Sequence, residues 1–336
     1  MFDLELQFRE RQSMPKYRHI IDAVLKKIRA GELKKGDRIP SLNALCRRYR
    51  LSQDTVLMAY NELKARGIIT SQVGKGYFIR SDQPDSGHRV FLLFDKLTAY
   101  KEALYESFTR SMAGRGVERI FFHHDDPAIF QTLIEMARGE YTEYVIMPIE
   151  DDTCRRAVER LPGGKVFILD QGKAKYSDQY PGVWQDFEKD LVRILGENEG
   201  SLGRYRRLIL LTGRQGSARR AIAESFRDYC RRTKRECVVT LAAALADIRT
   251  GDLAIAIDDR DLEYLVRHAA ERSLVLGSDL GIISYNEAPL KGIVGPGITT
   301  VSTDFAGMGK RMAEMILNGQ KKKIDNPFRI IRRASF

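Results

Sequence analysis

A polar break at residues 81–87, Ser-Asp-Gln-Pro-Asp-Ser-Gly, constrains this chain most, because the apolar residues on its two sides follow different periods. A Pro and a Gly in a run without apolar residues read as a linker, placed at 83–87 between a first domain, 1–82, and a second, 88–336. Before the break, Tyr17, Ile20, Ile21, Val24, Leu25 and Ile28 recur at helical spacing and predict an amphipathic helix ending at Gly31. Ser41 opens a second helix with Leu42, Leu45 and Tyr49 inward, and Ser52 caps a third with Val56, Ala59, Tyr60 and Leu63 inward. Residues 68–70 and 77–79 flank Gly74-Lys75-Gly76 as a β-hairpin with a basic tip. After the break, short apolar runs at 90–94, 120–122, 144–147, 166–169, 208–211, 238–241, 253–257 and 282–285 alternate with helical stretches. That alternation predicts βαβ units in an open, doubly wound parallel sheet, an α/β domain of two lobes.

A chain of 336 residues exceeds what one core usually organises, which agrees with two or more domains. The formal net charge of +11 is unevenly spread: residues 1–82 hold 17 Lys/Arg against 9 Asp/Glu, a net of +8. Such asymmetry suits a polyanion, since each phosphate neutralised by Lys or Arg releases condensed counterions. On charge alone, a solvated basic surface is the equal alternative. Cys46, Cys154, Cys230 and Cys237 form no C-x-x-C pair, which fits reduced thiols better than a disulfide frame or a zinc knuckle. The first residues lack a basic stretch followed by an apolar one, and no segment offers the roughly 18 uninterrupted apolar residues of a membrane span. The expectation is a soluble, cytoplasmic protein with no membrane partner.

Pro15-Lys-Tyr17, Ile28-Arg-Ala-Gly31-Glu-Leu33, Gly36-Asp-Arg-Ile-Pro-Ser41, Leu51-Ser52, Thr55-Val56, Ala59-Tyr60, Leu63, Gly67-Ile68-Ile69 and Gly74-Lys-Gly76 stand in one register. On these residues the stretch 15–79 resembles the winged helix-turn-helix of the GntR family, which implies binding to double-stranded operator DNA. The chemistry of the third helix agrees: Ser52, Gln53, Asp54 and Thr55 offer short polar groups to base edges in the major groove. Gln pairs bidentately with adenine, and backbone N–H groups at helix starts hold phosphates. Ser41 and Asn43 at the start of the second helix join the candidate contacts, and Lys35, Arg38, Lys75 and Gly76 are expected at phosphates and the minor groove. Gly76 also has a plain reading as a hairpin turn. Family members often carry Glu-Arg after the Pro-Ser pair and Arg at two recognition-helix positions. Here Leu42, Asn43, Gln53 and Leu57 stand there, which shifts the expected readout from guanine toward adenine or thymine. Leu57 either meets a thymine methyl or is simply an exposed or dimer-facing apolar residue, and Asp54 either decorates the helix dipole or reads cytosine.

The tail carries Asp279-Leu-Gly-Ile-Ile-Ser-Tyr-Asn286-Glu-Ala-Pro-Leu290, Ile298-Thr-Thr-Val301, Asp304-Phe305 and Met308-Gly309. On that block, residues 88–336 resemble the effector domain of LacI-type repressors and type I periplasmic sugar-binding proteins. A GntR-type head on such a domain is similar to the arabinose-repressor subgroup. The resemblance implies a transcription regulator, expected as a repressor and homodimer, with no cofactor and a monosaccharide effector such as L-arabinose or L-fucose. Ligands in open α/β sheets bind beyond the carboxyl ends of strands. The pocket positions carried over are Asp258, Asn286, Thr303 and Asp304, joined from the first lobe by Asp95, Tyr100, Asp170, Trp184 and Asp186. Carboxylates and amides there would fork onto vicinal hydroxyls while an aromatic face covers the sugar ring. Against the pocket role of Trp184, the single tryptophan, a lone Trp is more often a core residue. The arginine that such pockets often take from the helix after the fifth strand has no clean equivalent: Ile222 fills the aligned place, with Arg219 and Arg220 nearby.

His123-His124-Asp125-Asp126 offers the residue types of a metal cluster, but adjacent histidines on an extended chain point to opposite sides, and a strand-end loop is the simpler account. No Walker loop, G-x-S-x-G elbow or H-E-x-x-H occurs, so no enzyme is expected. Two alternatives remain: the same fold sensing a nucleobase or amino acid, and an enzyme carrying a DNA-binding head. Ligand binding without turnover separates them.

Overall fold

The computed structural model describes residues 15–81, 87–213, 217–241 and 247–336, so the linker expected at 83–87 lies, except for Gly87, outside the described residues. The described chain forms two compact units. One takes the residues up to Lys96 together with Met112–Phe167, and the other takes Leu97–Ser111 with those from Ile168 to Phe336.

The first unit begins with a helical head. Helix α1, Lys16–Arg29, buries Ile20, Ile21, Val24, Leu25 and Ile28, the stripe its spacing predicts, and breaks where Gly31 turns to φ +72°. Strand β1 is Arg38–Ile39. Helix α2, Leu42–Tyr49, is capped by Ser41, whose Oγ accepts the Ala44 N–H at 3.2 Å, and it ends on Arg50 in the left-handed region. Helix α3, Gln53–Ala65, starts on Ser52, whose Oγ accepts the Thr55 N–H at 3.3 Å. Side-chain caps of this kind satisfy amide donors that no helix turn precedes. Strands β2, Ile69–Gln72, and β3, Gly76–Ile79, form the hairpin, with β3 between β1 and β2 and both pairings antiparallel. The three helices and the hairpin close on one apolar cluster, in which the Tyr60 hydroxyl donates to the Pro40 carbonyl at 2.6 Å.

The same unit continues with β4, His88–Phe94, and, after helix α4 (Ala99–Met112), with β5, Gly116–Phe122. Helix α5, Pro127–Ala137, strand β6, Glu143–Ile146, helix α6, Asp152–Glu159, and a 3-10 turn at Gly163–Lys165 follow. Strand β4 pairs in parallel with β5 on one side and β6 on the other. The histidine pair lies in the loop after β5: buried His123 shares a 3.0 Å hydrogen bond from its Nε2 to the Met147 carbonyl, while Asp126 caps α5.

The second unit, to which most of α4 belongs, holds the last three residues of β7 (Val166–Asp170), helix α7, Lys173–Tyr176, β8, Gly182–Trp184, and helices α8, Asp190–Glu197, and α9, Glu199–Leu202. Its larger part runs β9, Arg207–Leu211; α10, Ser217–Thr233; β10, Glu236–Thr240; β11, Asp252–Ala256; α11, Asp259–Glu271; β12, Leu280–Tyr285; β13, Thr299–Thr303; and α12, Phe305–Leu317. Strands β14, Lys323–Asp325, and β15, Phe328–Ile331, complete it. A sheet of order β10–β9–β11–β12–β13–β15 is parallel except for β15, and β8 pairs in parallel with both β7 and β14. Alternation explains its uninterrupted apolar strands. Leu208 and Leu210 face a cluster with Leu191, Phe226 and Tyr229, whereas Ile209 and Leu211 face one with Leu262 and Leu265. A strand covered on both faces has no polar side to show. On α12, Gly309 brings two helices into backbone contact, since a Cβ there would lie 2.1 Å from the Leu104 carbonyl oxygen on α4.

Candidate functional site

The ten candidate DNA contacts are all accessible. Lys35, Arg38, Ser41, Asn43, Ser52, Gln53, Asp54 and Lys75 are exposed, and Thr55 and Gly76 are half-buried. Local structure explains why. Ser52 and Ser41 stand at helix N-caps, so the residues that follow start a helix with their side chains outward and their amide donors at the end of the axis. Lys75 sits at the hairpin tip, and Gly76, at φ +107°, lies where an added Cβ would meet the Arg38 guanidinium at 3.4 Å. A residue that sequence reasoning missed stands beside them: Val73 at the same tip is fully exposed. Leu57 and Met58 are also exposed on α3.

The candidate effector residues are placed very differently. Asp95, at the end of β4, is buried in the first unit and its carbonyl accepts the His124 N–H at 2.8 Å. In the second unit, Asp170 ends β7 at φ +68°, buried, with its Oδ1 accepting from the Gln185 side chain at 2.5 Å and its Oδ2 3.5 Å from the buried Lys101 ammonium. Trp184 at the end of β8 is 1% exposed and donates Nε1–H to Asp325 at 2.9 Å. Asp186 accepts from Lys173 at 2.8 Å. Burial pushes its carboxyl up, but the Lys173 hydrogen bond and charge hold it below the usual range. Thr303, Asp304 and Tyr100 come together: Asn326 donates to the Thr303 Oγ1 at 2.8 Å, Asp304 caps α12 and pairs with Arg311 at 3.2 Å, and the Tyr100 ring lies 4.7 Å from that of Phe305.

At the ends of β9, β11 and β12, Arg219, one of the two arginines near the place that Ile222 fills, approaches Asp258. Arg219 Nη2 lies 3.7 Å from Asp258 Oδ2, and its Nη1 donates to the Thr212 carbonyl at 2.7 Å. Asp258 itself caps α11, and Asn286 follows β12 at φ +62° with its N–H on the Val301 carbonyl at 2.8 Å. Next to these positions lies a groove of about 520 Å³ lined by Leu262, Val266, Ala270, Leu290 and Val294, with Lys291 at its floor. Lys291 is buried there. Its ammonium donates to Ser284, the carbonyls of Tyr285 and Asn286, and Asp259 at 2.8 Å.

A helical head with a three-stranded wing, joined to parallel sheets flanked by helices, defines the class: a winged helix-turn-helix regulator with a periplasmic-binding-protein-like domain. Residues 16–79 match the bacterial regulatory proteins of the gntR family, and residues 201–336 match the periplasmic binding protein-like domain. The HTH-type transcriptional repressor YtrA of Bacillus subtilis (strain 168) is 32% identical over 99 residues, 30% of this chain and 72% of YtrA. The uncharacterized HTH-type transcriptional regulator YdfD of the same organism is 38% identical over 65 residues, 19% of this chain. That match spans only 14% of YdfD's own length. The chain belongs to the gntR family. Among solved structures, the trehalose repressor from Escherichia coli shares the fold at TM-score 0.61 and 13% identity, over 73% of this chain and 99% of that one. A dimeric Lac repressor with an 11-residue C-terminal deletion matches at 0.61 and 14%, over 74% and 98%. A LacI family regulator from Lactobacillus casei with bound sucrose matches at 0.62 and 14%, over 74% and 99%. Among the described residues no helix is long and apolar enough to cross a membrane.

Proposed function

We propose that this chain is a sequence-specific DNA-binding transcription regulator, acting as a repressor, whose operator binding is controlled by a small sugar. One observation carries the reading: a single compact head presents the polar start of α3, the start of α2 and a basic wing tip, all open to solvent. Exposed cations give salt-dependent affinity and short polar side chains at a helix start give base readout. The sensor half of the reading is supported by carboxylates and an amide at strand ends, Asp258, Asn286, Asp170 and Asp304, and by the sucrose in the L. casei neighbour. A pentose or deoxyhexose such as L-arabinose or L-fucose is the effector proposed, with no catalytic turnover.

Two heads on a near-palindromic operator require a homodimer, since half-site spacing mirrors protein symmetry. The face of α11 and residues 290–294 is proposed for it: Ile293 stands 75% exposed beside the groove that Leu262, Val266, Ala270 and the 69% exposed Leu290 line. A knob beside a groove on one surface is self-complementary under a twofold axis.

The deciding experiment is a thermal-shift screen of monosaccharides, sugar phosphates, nucleosides and amino acids, followed by operator binding with each hit. The expected result is stabilisation by a monosaccharide that changes operator affinity about a hundredfold, equivalent to about 2.7 kcal/mol of differential binding. Asp258→Ala is expected to keep DNA affinity and lose that response. A nucleoside or amino acid as the sole hit would overturn the sugar, and chemical conversion of the hit would restore the enzyme alternative.

A further inference from the structure

The C-terminal end of α3, opposite its base-reading start, is held by the sensor part of the same unit at three points. The Glu62 carboxylate pairs with the Lys165 ammonium, from the 3-10 turn just before β7, as well as with Arg66 Nε at 2.8 Å. Burial pushes the Glu62 carboxyl up, but the Lys165 and Arg66 contacts more than offset this and hold it below the usual carboxylate range. The Lys64 ammonium pairs at 2.5 Å with Glu140, from the loop between α5 and β6. From the first turn of β4, the Arg89 Nη1 donates to the Lys64 carbonyl at 3.3 Å, in the last turn of the helix, where the dipole favours a cation. Gly67 makes room for it, since a Cβ there would lie 3.1 Å from that nitrogen. Arg89 is fixed from behind by the Tyr141 ring, 5.8 Å from its guanidinium carbon.

Resting on the regulator reading above, we propose that Glu62, Lys64, Lys165, Glu140 and Arg89 are positioning residues: they form a latch that orients the recognition helix on its own sensor, leaving the reading end open. The helix carries an acid and a base on nearly opposite sides, facing a base and an acid on the sensor, so a half-turn rotation of α3 would set like charges against each other. Helix α3 has 13 residues, about 20 Å at 1.5 Å per residue, so a small change of angle at the latch is magnified at Gln53. In a protein with paired heads, that angle fixes the distance between the two reading helices.

The test uses the full-length protein and an operator it selects from a randomised duplex pool, together with versions carrying one to three base pairs inserted at the operator centre. The wild type is expected to lose affinity steeply with insertion. Glu140→Lys and Lys165→Glu, both on the sensor and outside the candidate DNA contacts, are expected to lower affinity for the native spacing about five- to tenfold and to flatten the insertion penalty. Combining Lys64→Glu with Glu140→Lys restores the attraction and is expected to recover the penalty, a rescue that a simply destabilised fold does not give; melting temperatures of all variants check folding. An insertion penalty unchanged in both single variants, or one that the swap does not recover, overturns the latch while leaving the regulator reading intact. Selection of no duplex by the wild type overturns the regulator reading and the latch with it.

Discussion

The head and the sensor carry their candidate contacts in opposite ways. In the head they stand in solvent on helix starts and a hairpin tip, as with Gln53 and Lys75. In the sensor Asp95, Asp170, Trp184 and Thr303 are buried and the other five are half-buried, and several are tied to their own chain: Trp184 to Asp325, Asp170 to Gln185, Thr303 to Asn326. Under the proposed function the difference follows from the ligands. A polyanion is read by many separate groups, each gaining a phosphate or a base edge. A small neutral ligand needs a few groups fixed beforehand, because every rotamer frozen on binding subtracts from affinity. Head residues therefore act nearly alone, and sensor residues act as parts of networks.

The contrast is sharpened most by Trp184→Ala. With the indole in the core, the substitution is expected to cost about 3–5 kcal/mol of stability, read as the denaturant midpoint; a loss under about 1 kcal/mol would mean the ring packs less than its burial implies. Next in size, Gln53→Ala is expected to leave the fold alone and cost about 1–3 kcal/mol on the operator at one base position only; equal losses on operator and random DNA would remove Gln53 from base reading. Lys75→Ala is expected to weaken every duplex alike and to lower the salt slope by about one, measured as log affinity against log salt.

The smallest expected effect is a pH dependence within the sensor. Burial pushes the Asp190 carboxyl up to about 6, against about 4 when unfolded, even though the Asp186 N–H donates to its Oδ2 at 3.0 Å. Between those values the folded state holds the extra proton, so this group's contribution to stability is lost as pH rises through about 6. Asp190→Asn is accordingly expected to raise the melting temperature by about 2–4 °C at pH 8, equivalent to about 1 kcal/mol after solvent screening, and by less at pH 4.5. An equal gain at both pH values would mean that the carboxylate carries no penalty.

Sequence periodicity located the three helices and the hairpin of the head, but not the two-residue strand β1, and the sensor in part. Each of the eight apolar runs falls on a strand, because a strand buried on both faces must be apolar throughout. Strands β8 and β13 escaped it for physical reasons: β8 has only three residues, and β13 is Thr-Thr-Val-Ser-Thr, buried because its hydroxyls find partners such as Arg333 and Pro327 carbonyls. The accessibility of the candidate DNA contacts was legible, since caps and a glycine turn place those residues at helix starts and a hairpin tip. The Arg219–Asp258 pair was not, as it joins a helix to a strand end 39 positions later, and no local rule spans that distance. The latch at Glu62 and Lys165 was hidden for the same reason.

The glycine of α12 has a mechanical consequence. With Gly309 against the Leu104 carbonyl, α4 and α12 meet main chain to main chain at that one crossing, with no side chain between them there. Side chains slide past one another by changing rotamer; main chain does not. Tyr100 near the start of α4 and Asp304 at the start of α12 are thus mounted on one stiff bracket, so whatever binds at either feels a wall that shifts as a piece or stays put. Gly309→Ala would prise that bracket apart, and a sensor built on it would answer its ligand with slack where it now has stroke.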